Sequence, residues 1–289
     1  MTHPEKSEST PGLRLRQGFA TANGVRFHYA EAGHGPLVLL LHGFPEFWYG
    51  WRRQMPALAK AGFRVVAPDL RGYNLTERPA GVPQYRLPLL VEDVVQLITA
   101  LGETSAGLVG HDWGGMIAWY VAMHHPRLVR RLAILNAPHP AAYRRELRRF
   151  SSQAWRSAYA AFFQLPLIPE RVLRAHGFAL VRRALRGAPA RDPEDMKRYI
   201  DALARQGALT AALHYYRAAL RHPHPDCLRI IVPTLLLWGE RDPFLVSALA
   251  EGLHEWVEDL TVERLPHATH WLHHEEPDRV NERLCAFFK

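Results

Sequence analysis

The chain has 289 residues, 48% of them hydrophobic and 22% charged, with 36 Lys and Arg against 28 Asp and Glu and a formal net charge of +8. That length accommodates one α/β domain with an inserted subdomain, and no apolar run approaches the ~20 residues of a membrane helix. The basic balance raises nucleic acid and membrane surfaces as partners, but no nucleic-acid fold signature accompanies it.

The polar start, residues 1–15, is expected to be a loose tail and lacks the form of a signal peptide. Cys227 and Cys285 stand far apart, outside any metal-spaced cluster, which suits a reducing compartment, so a cytoplasmic location is expected. Residues 17–32 alternate around Asn23-Gly24, a two-residue hairpin signal. Residues 36–42 form a continuous apolar run, the mark of a strand buried on both faces of a parallel sheet, and end in His42-Gly43-Phe44-Pro45-Glu46. Residues 47–61 are expected to be helical with Trp48, Trp51, Met55 and Leu58 inward, 63–69 a strand and 71–74 a loop. Residues 89–101 place Val91, Val94, Val95 and Ile98 on one helical face. A strand at 107–112 and a helix at 114–124 meet in Val109-Gly110-His111-Asp112-Trp113-Gly114-Gly115. After a buried strand at 128–136 the alternation breaks: from about 139 to 228 the segments are helical and Arg-rich. Arg144, Arg145, Arg148 and Arg149 are expected to form a solvated stripe on one helix. Strands resume at 232–239 and 260–265, with helices expected at 245–256 and 278–288. The fold class is therefore α/β, a mostly parallel central sheet flanked by helices. Its expected organisation is a core of 16–138 and 229–289, with 139–228 as a helical cap.

Strand, sharp turn and helix are the setting of a nucleophile elbow, which needs small neighbours such as Gly110, Gly114 and Gly115. The elbow usually carries Ser; here the position is Asp112. A carboxylate attacks carbon and leaves an alkyl ester where Ser would leave an acyl-enzyme. A glycine-rich turn opening an ordinary α/β crossover would share this spacing, and the partners downstream weigh against it. The loop 42–46 is where a first oxyanion donor belongs, the backbone N–H of Phe44, and Pro45, which has no N–H, fixes the direction of the turn. In Trp238-Gly239-Glu240-Arg241-Asp242-Pro243 a second acid is expected. Glu240 is the rival; Asp242 is preferred because it lies at the loop's far side. After the last strand come His267, His270, His273 and His274. His270 stands at the loop's end, whereas His273 and His274, beside Glu275 and Glu276, are expected at the solvated surface. The order Asp112, Asp242, His270 is then nucleophile, acid, histidine.

On these motifs, and on Asp69-Leu70-Arg71-Gly72-Tyr73, the chain resembles the α/β-hydrolase superfamily from about residue 18 to 289, and within it the epoxide hydrolases. An Asp at the elbow is shared with haloalkane and haloacetate dehalogenases, so the cap carries the choice. Tyr159, five residues before Gln164-Leu165-Pro166, resembles the family's first cap tyrosine, and Tyr216, followed by Arg217, the second. The resemblance makes them an oxygen-activating pair. Opening an epoxide generates an alkoxide that needs a proton, and a phenol of pKa about 10 can give one at neutral pH; a departing halide needs none. Trp113 stands where haloacetate dehalogenases usually carry Arg. One departure is Thr269, where the family commonly has Gly. The resemblance implies Asp112, Asp242, His270, Tyr159 and Tyr216 as catalytic, the N–H groups of Phe44 and Trp113 as an oxyanion hole, and His42, Pro45, Trp113 and Phe163 as substrate-binding. It also implies a cis Phe44–Pro45 bond, no metal and no cofactor, a small-molecule epoxide and water as partners, and a vicinal diol as product. On the charge pattern and the apolar runs above, neither a nucleic-acid partner nor a membrane span is expected, and a homodimer stays open. Two alternatives stand beside it: a dehalogenase on the same scaffold, and a non-catalytic binding protein, which would be expected to lose one member of the triad.

Overall fold

The computed structural model describes residues 9–10, 13–149, 152–186, 190 and 192–289. The expected hairpin joins β1 (Arg16–Ala22) to β2 (Val25–Ala32) in antiparallel register. Asn23 and Gly24 both take positive φ, 48° and 70°, as this two-residue turn requires. With β3 (Leu37–Leu41), β4 (Arg64–Pro68), β5 (Ala106–His111), β6 (Val129–Leu135), β7 (Thr234–Gly239) and β8 (Leu260–Leu265) they form an eight-stranded sheet, in the order β8-β7-β6-β5-β3-β4-β2-β1. Neighbours from β8 to β4 run parallel, while β2 lies antiparallel to β4. Every residue of β3, β5 and β7 is buried, because helices cover both faces of such a sheet. Among those helices are α1 (Gln54–Lys60), α2 (Leu87–Ala100) and α3 (Trp113–His124). The chain leaves β3 for β4 on one side and returns to β5 on the other. The carboxyl ends of β3 and β5 therefore flank a switch point, where open α/β sheets form their ligand crevice.

Between β6 and β7 the described residues hold helices and no strand: α4 (Pro140–Arg148), α5 (Ser152–Arg156), α6 (Ala158–Phe162), α7 (Ile168–Leu185), α8 (Pro193–Ala204) and α9 (Ala208–Arg221). After β8 come α10 (Leu272–Glu275) and α11 (Pro277–Phe288), which packs on α1. Among the described residues no helix is long and apolar enough to cross a membrane.

Four local expectations are corrected. The helix expected over 47–61 opens as a 3-10 turn, Trp48–Trp51, before α1 begins. The helix expected over 245–256 is two 3-10 turns, Ser247–Ala250 and Leu253–Glu255. Its first amides, Phe244 N–H and Leu245 N–H, donate to Asp242 Oδ1, and Arg145 draws off the carbonyls of Ala248 and Glu251. Gly252, at φ 66°, then turns the chain away. The Arg stripe on α4 is not uniformly solvated, since Arg145 is spent on those carbonyls and on Glu146, while Arg144 and Arg148 are exposed. Of the tail expected over 1–15, Ser9–Thr10 pairs antiparallel with Leu13–Arg14, and residues 1–8, 11 and 12 lie outside the described residues.

Candidate active site

Asp112 sits between β5 and α3 with φ 50° and ψ −119°, a conformation that costs a non-glycine residue on the order of 1–3 kcal/mol and persists only where the surroundings hold it. They hold it through close backbone approach. A Cβ on Gly114 would lie 2.1 Å from the carbonyl oxygen of Leu41, at the end of β3. A Cβ on Gly43 would lie 2.3 Å from that of Asp112. Gly43 thereby lets the next amide reach the carboxylate: Phe44 N–H donates to Asp112 Oδ1 at 2.9 Å. The Phe44–Pro45 peptide bond is cis, as the resemblance implies.

The second carboxylate oxygen faces histidine. His270 Nε2 lies 3.7 Å from Asp112 Oδ2, and His270 Nδ1–H donates to Asp242 Oδ2 at 2.7 Å. Asp242 is wholly surrounded by donors: Asn136 Nδ2 reaches Oδ2 at 2.6 Å, and the amides of Phe244 and Leu245 reach Oδ1. Burial works against its charge, but His270 and these hydrogen bonds outweigh it and hold the carboxyl below its usual value. Burial likewise disfavours the His270 imidazolium, yet the carboxylates of Asp242 and Asp112 prevail and lift it to about 9.

Above them lie the two phenols. Tyr216, on α9, is buried, and Tyr159, on α6, is 37% exposed and forms part of the cavity wall. Their rings stand 5.8 Å apart at a steep angle, and Phe163 packs edge-on against both, at 5.5 and 5.1 Å. Burial first, then the Asp112 carboxylate, raises the pKa of Tyr159; burial and then Tyr159 raise that of Tyr216. Both phenols hold their protons more firmly than usual. Asp112, Trp113, Tyr159 and Tyr216 line one cavity of about 260 Å³. Its remaining wall is largely apolar, with Met116, Tyr120, Pro138, Tyr143 and Leu245 among its members.

The other residues expected to bind substrate do not line that cavity. His42 is fully buried, its Nδ1–H donating to Gly43 O and its Nε2 accepting from Leu70 N–H. It is a brace between loops, and burial lowers its pKa. Pro45 is buried, and Phe163 stands behind the phenols. Glu240, the rival acid, pairs instead with Arg264 at 2.6 Å.

His273 and His274, expected at the solvated surface, are buried around a residue the sequence reading left without a role. His274 Nε2–H donates to Glu46 Oε1 at 2.7 Å, Tyr199 O–H donates to the same oxygen at 3.0 Å, and His273 Nε2 lies 3.3 Å from Oε2. His111 links this cluster to the site, with Nδ1 3.4 Å from Glu46 Oε2 and Nε2–H donating to the carbonyl of His270 at 2.9 Å. Burial opposes the Glu46 charge, but the imidazoles of His274 and His273 hold its pKa well below the usual range. Glu46, His273 and His274 are the group with metal-ligand spacing among the described residues, their ligand atoms within 4.8 Å of one another; the hydrogen bonds from His274 and Tyr199 already engage one carboxylate oxygen. Asn136 was also missed. It follows β6 directly with φ 36°, and its Oδ1 accepts from Gly239 N–H while its amide holds Asp242. Its place at the carboxyl end of a buried strand was the available signal.

Residues 36–277 match the family described as alpha/beta hydrolase fold. The chain is 38% identical over 278 residues to epoxide hydrolase 3 of Xenopus tropicalis, covering 92% of this chain and 76% of that protein. It is 40% identical over 277 residues to AB hydrolase superfamily protein YfhM of Bacillus subtilis, covering 94% and 97%. The crystal structure of Bacillus megaterium epoxide hydrolase in complex with an inhibitor superposes with a TM-score of 0.87 at 34% identity, covering 94% of this chain and 99% of that one.

Proposed function

The chain belongs to the alpha/beta hydrolase fold family and, within it, to the epoxide hydrolases, and from that premise we propose that it converts an epoxide to a vicinal diol through an ester on Asp112. The observation that carries this is the division of the Asp112 carboxylate. Oδ1 is held by the Phe44 amide, and Oδ2 stands free toward His270 under the two phenols. Oδ2 attacks an epoxide carbon, the carbon–oxygen bond breaks, and the leaving oxygen takes a proton from the Tyr159–Tyr216 pair. Such a pair favours an epoxide over the dehalogenase alternative, because a halide leaves without a proton.

Alkylation discharges Asp112 and so removes one of the carboxylates that keep His270 protonated. The imidazole can then give up its proton, which makes good the one the phenols passed to the leaving oxygen, and act as a base on water, still oriented by Asp242. Water adds to the ester carbonyl carbon, and the negative charge develops on Oδ1, where the Phe44 amide already points and the Trp113 amide joins it. The alkyl oxygen departs, receives the proton from His270, and leaves as the diol. The helical block 139–228 acts as the cap that carries the phenols. A single turnover with enzyme in excess, in water labelled with oxygen-18, tests this route. The label is expected in the Asp112 side chain, and label found only in the diol would mean direct attack of water on the epoxide.

A further inference from the structure

The cavity that starts at Asp112 ends at a cation. Arg144, Leu220 and His224 are exposed and line the same cavity as Asp112 and the phenols, so they form its mouth. Among the described residues that line it, Arg144 is the one permanently charged cation and Asp112 the one carboxylate. Their separation follows from α3. Asp112 caps that helix and Tyr120 lies eight residues on, so about 12 Å separates them along the axis at 1.5 Å per residue. At that second point the Tyr120 hydroxyl lies 3.9 Å from Cys227 Sγ, and Arg144 Nη2–H donates to the same sulfur at 2.8 Å.

A thiol is a weak acceptor, and a guanidinium has five N–H donors. Among the described residues no carboxylate lies within ion-pair distance of Arg144, and Asp226, beside Cys227, is exposed and makes no ion pair with it. Its neighbours differ: Arg145 on α4 and Arg149 just past its end both reach Glu146, and Arg145 also holds two carbonyls. A cation whose partners are a thiol and the Tyr120 phenol, with no carboxylate beside it, at the mouth of an apolar cavity, is matched by a carboxylate, which a planar guanidinium grips with two parallel bonds. We propose that Arg144 is a subsite for a carboxylate carried by the substrate, so that the enzyme takes epoxides with an apolar stretch of about two helical turns between oxirane and acid. The substrate class rests on the epoxide reaction proposed above; the anion subsite does not.

Two measurements separate them. By calorimetry, decanoate is expected to bind about five- to tenfold tighter than decanamide, the range of an ionic hydrogen bond at a partly exposed site. The advantage should shrink in high salt, vanish in Arg144→Met and reverse in Arg144→Glu. Equal binding of acid and amide by the natural chain, or an acid advantage that survives Arg144→Glu, would overturn the subsite. Decanamide binding to each variant reports whether the cavity itself is intact. The second measurement compares kcat/KM for the terminal epoxides of the same acid and amide, with the same five- to tenfold preference expected. If neither epoxide turns over, the epoxide reaction fails, while the decanoate comparison alone still decides the subsite.

Discussion

Tyr159 and Tyr216 carry the choice between an epoxide and a halide, and their surroundings make that choice testable. Each phenol is raised in pKa by burial and by neighbouring charge, so each is a reluctant phenolate but a secure proton holder in the resting enzyme. A Tyr→Phe change removes one hydroxyl and leaves the ring that packs on Phe163. Losing a lone transition-state donor costs on the order of 10²–10³ in rate. With the partner phenol still present, a single change is expected to cost less, and the double change far more than either. The slowdown should fall on ester formation in a single turnover and spare ester hydrolysis. No loss in the double variant would return both residues to plain packing and revive the dehalogenase alternative. At this scale the sequence was informative where a motif is contiguous, as with Asp112, and for Asp242 and His270, which follow in the order the elbow demands. Glu46, His273 and His274 were illegible for a physical reason: their hydrogen bonds span 228 residues, and a pair of histidines before two glutamates looks local and solvated until Glu46 is seen beneath them.

At the scale of elements, the two phenols are held in register by an ion pair between helices. Arg217 follows Tyr216 on α9; it pairs with Glu170 on α7 at 2.7 Å, with both side chains under a tenth exposed. Its remaining donors reach the carbonyls of Phe163 and Leu165, just after the helix that carries Tyr159. Arg217→Met leaves Glu170 buried without its partner, a change that costs about 3–5 kcal/mol. In a chain of this size that should lower Tm by on the order of 10 °C. Adding Glu170→Leu should recover part of the loss, since an apolar pair no longer strands a charge. A double variant as unstable as the single one would place the cost in the carbonyl contacts. The sequence revealed Tyr216-Arg217 as a motif but not this bridge, because Glu170 lies 47 residues away on a separate helix. Strands and long helices were legible from their periodicity, which packing enforces. The stretch 245–256 was not, because Arg145 and Asp242 take the backbone groups that a helix would have used.

Across the whole molecule, stability should depend on pH chiefly through imidazoles that fold uncharged. Burial lowers the pKa of His42, His273 and His274; His139 falls to about 3 and His214 to about 4, each by burial and then by a nearby arginine. For such a group the unfolded chain binds the proton first, near pH 6.5, while the folded chain still refuses it. The unfolded state then holds more protons, and stability falls as pH drops below about 6.5 and continues to fall toward pH 4. Glu46 and Asp242, both depressed, act in the same direction lower down: their contribution is present above the usual carboxylate range and is lost as pH falls through it. His270 has the opposite sign. Its folded value of about 9 lies above the unfolded one, so its contribution is whole below about 6.5 and lost between there and 9. Tm measured by circular dichroism from pH 4 to pH 9.5 should therefore peak near neutrality and fall more steeply on the acid side, where five histidines and two carboxylates act together. His270→Gln should flatten the alkaline limb and leave the acid limb in place. A Tm that rises as the pH is lowered from 7 to 5 would mean that the buried imidazoles are already charged in the native fold, and the neutral core assigned to His42, His273 and His274 would have to be abandoned.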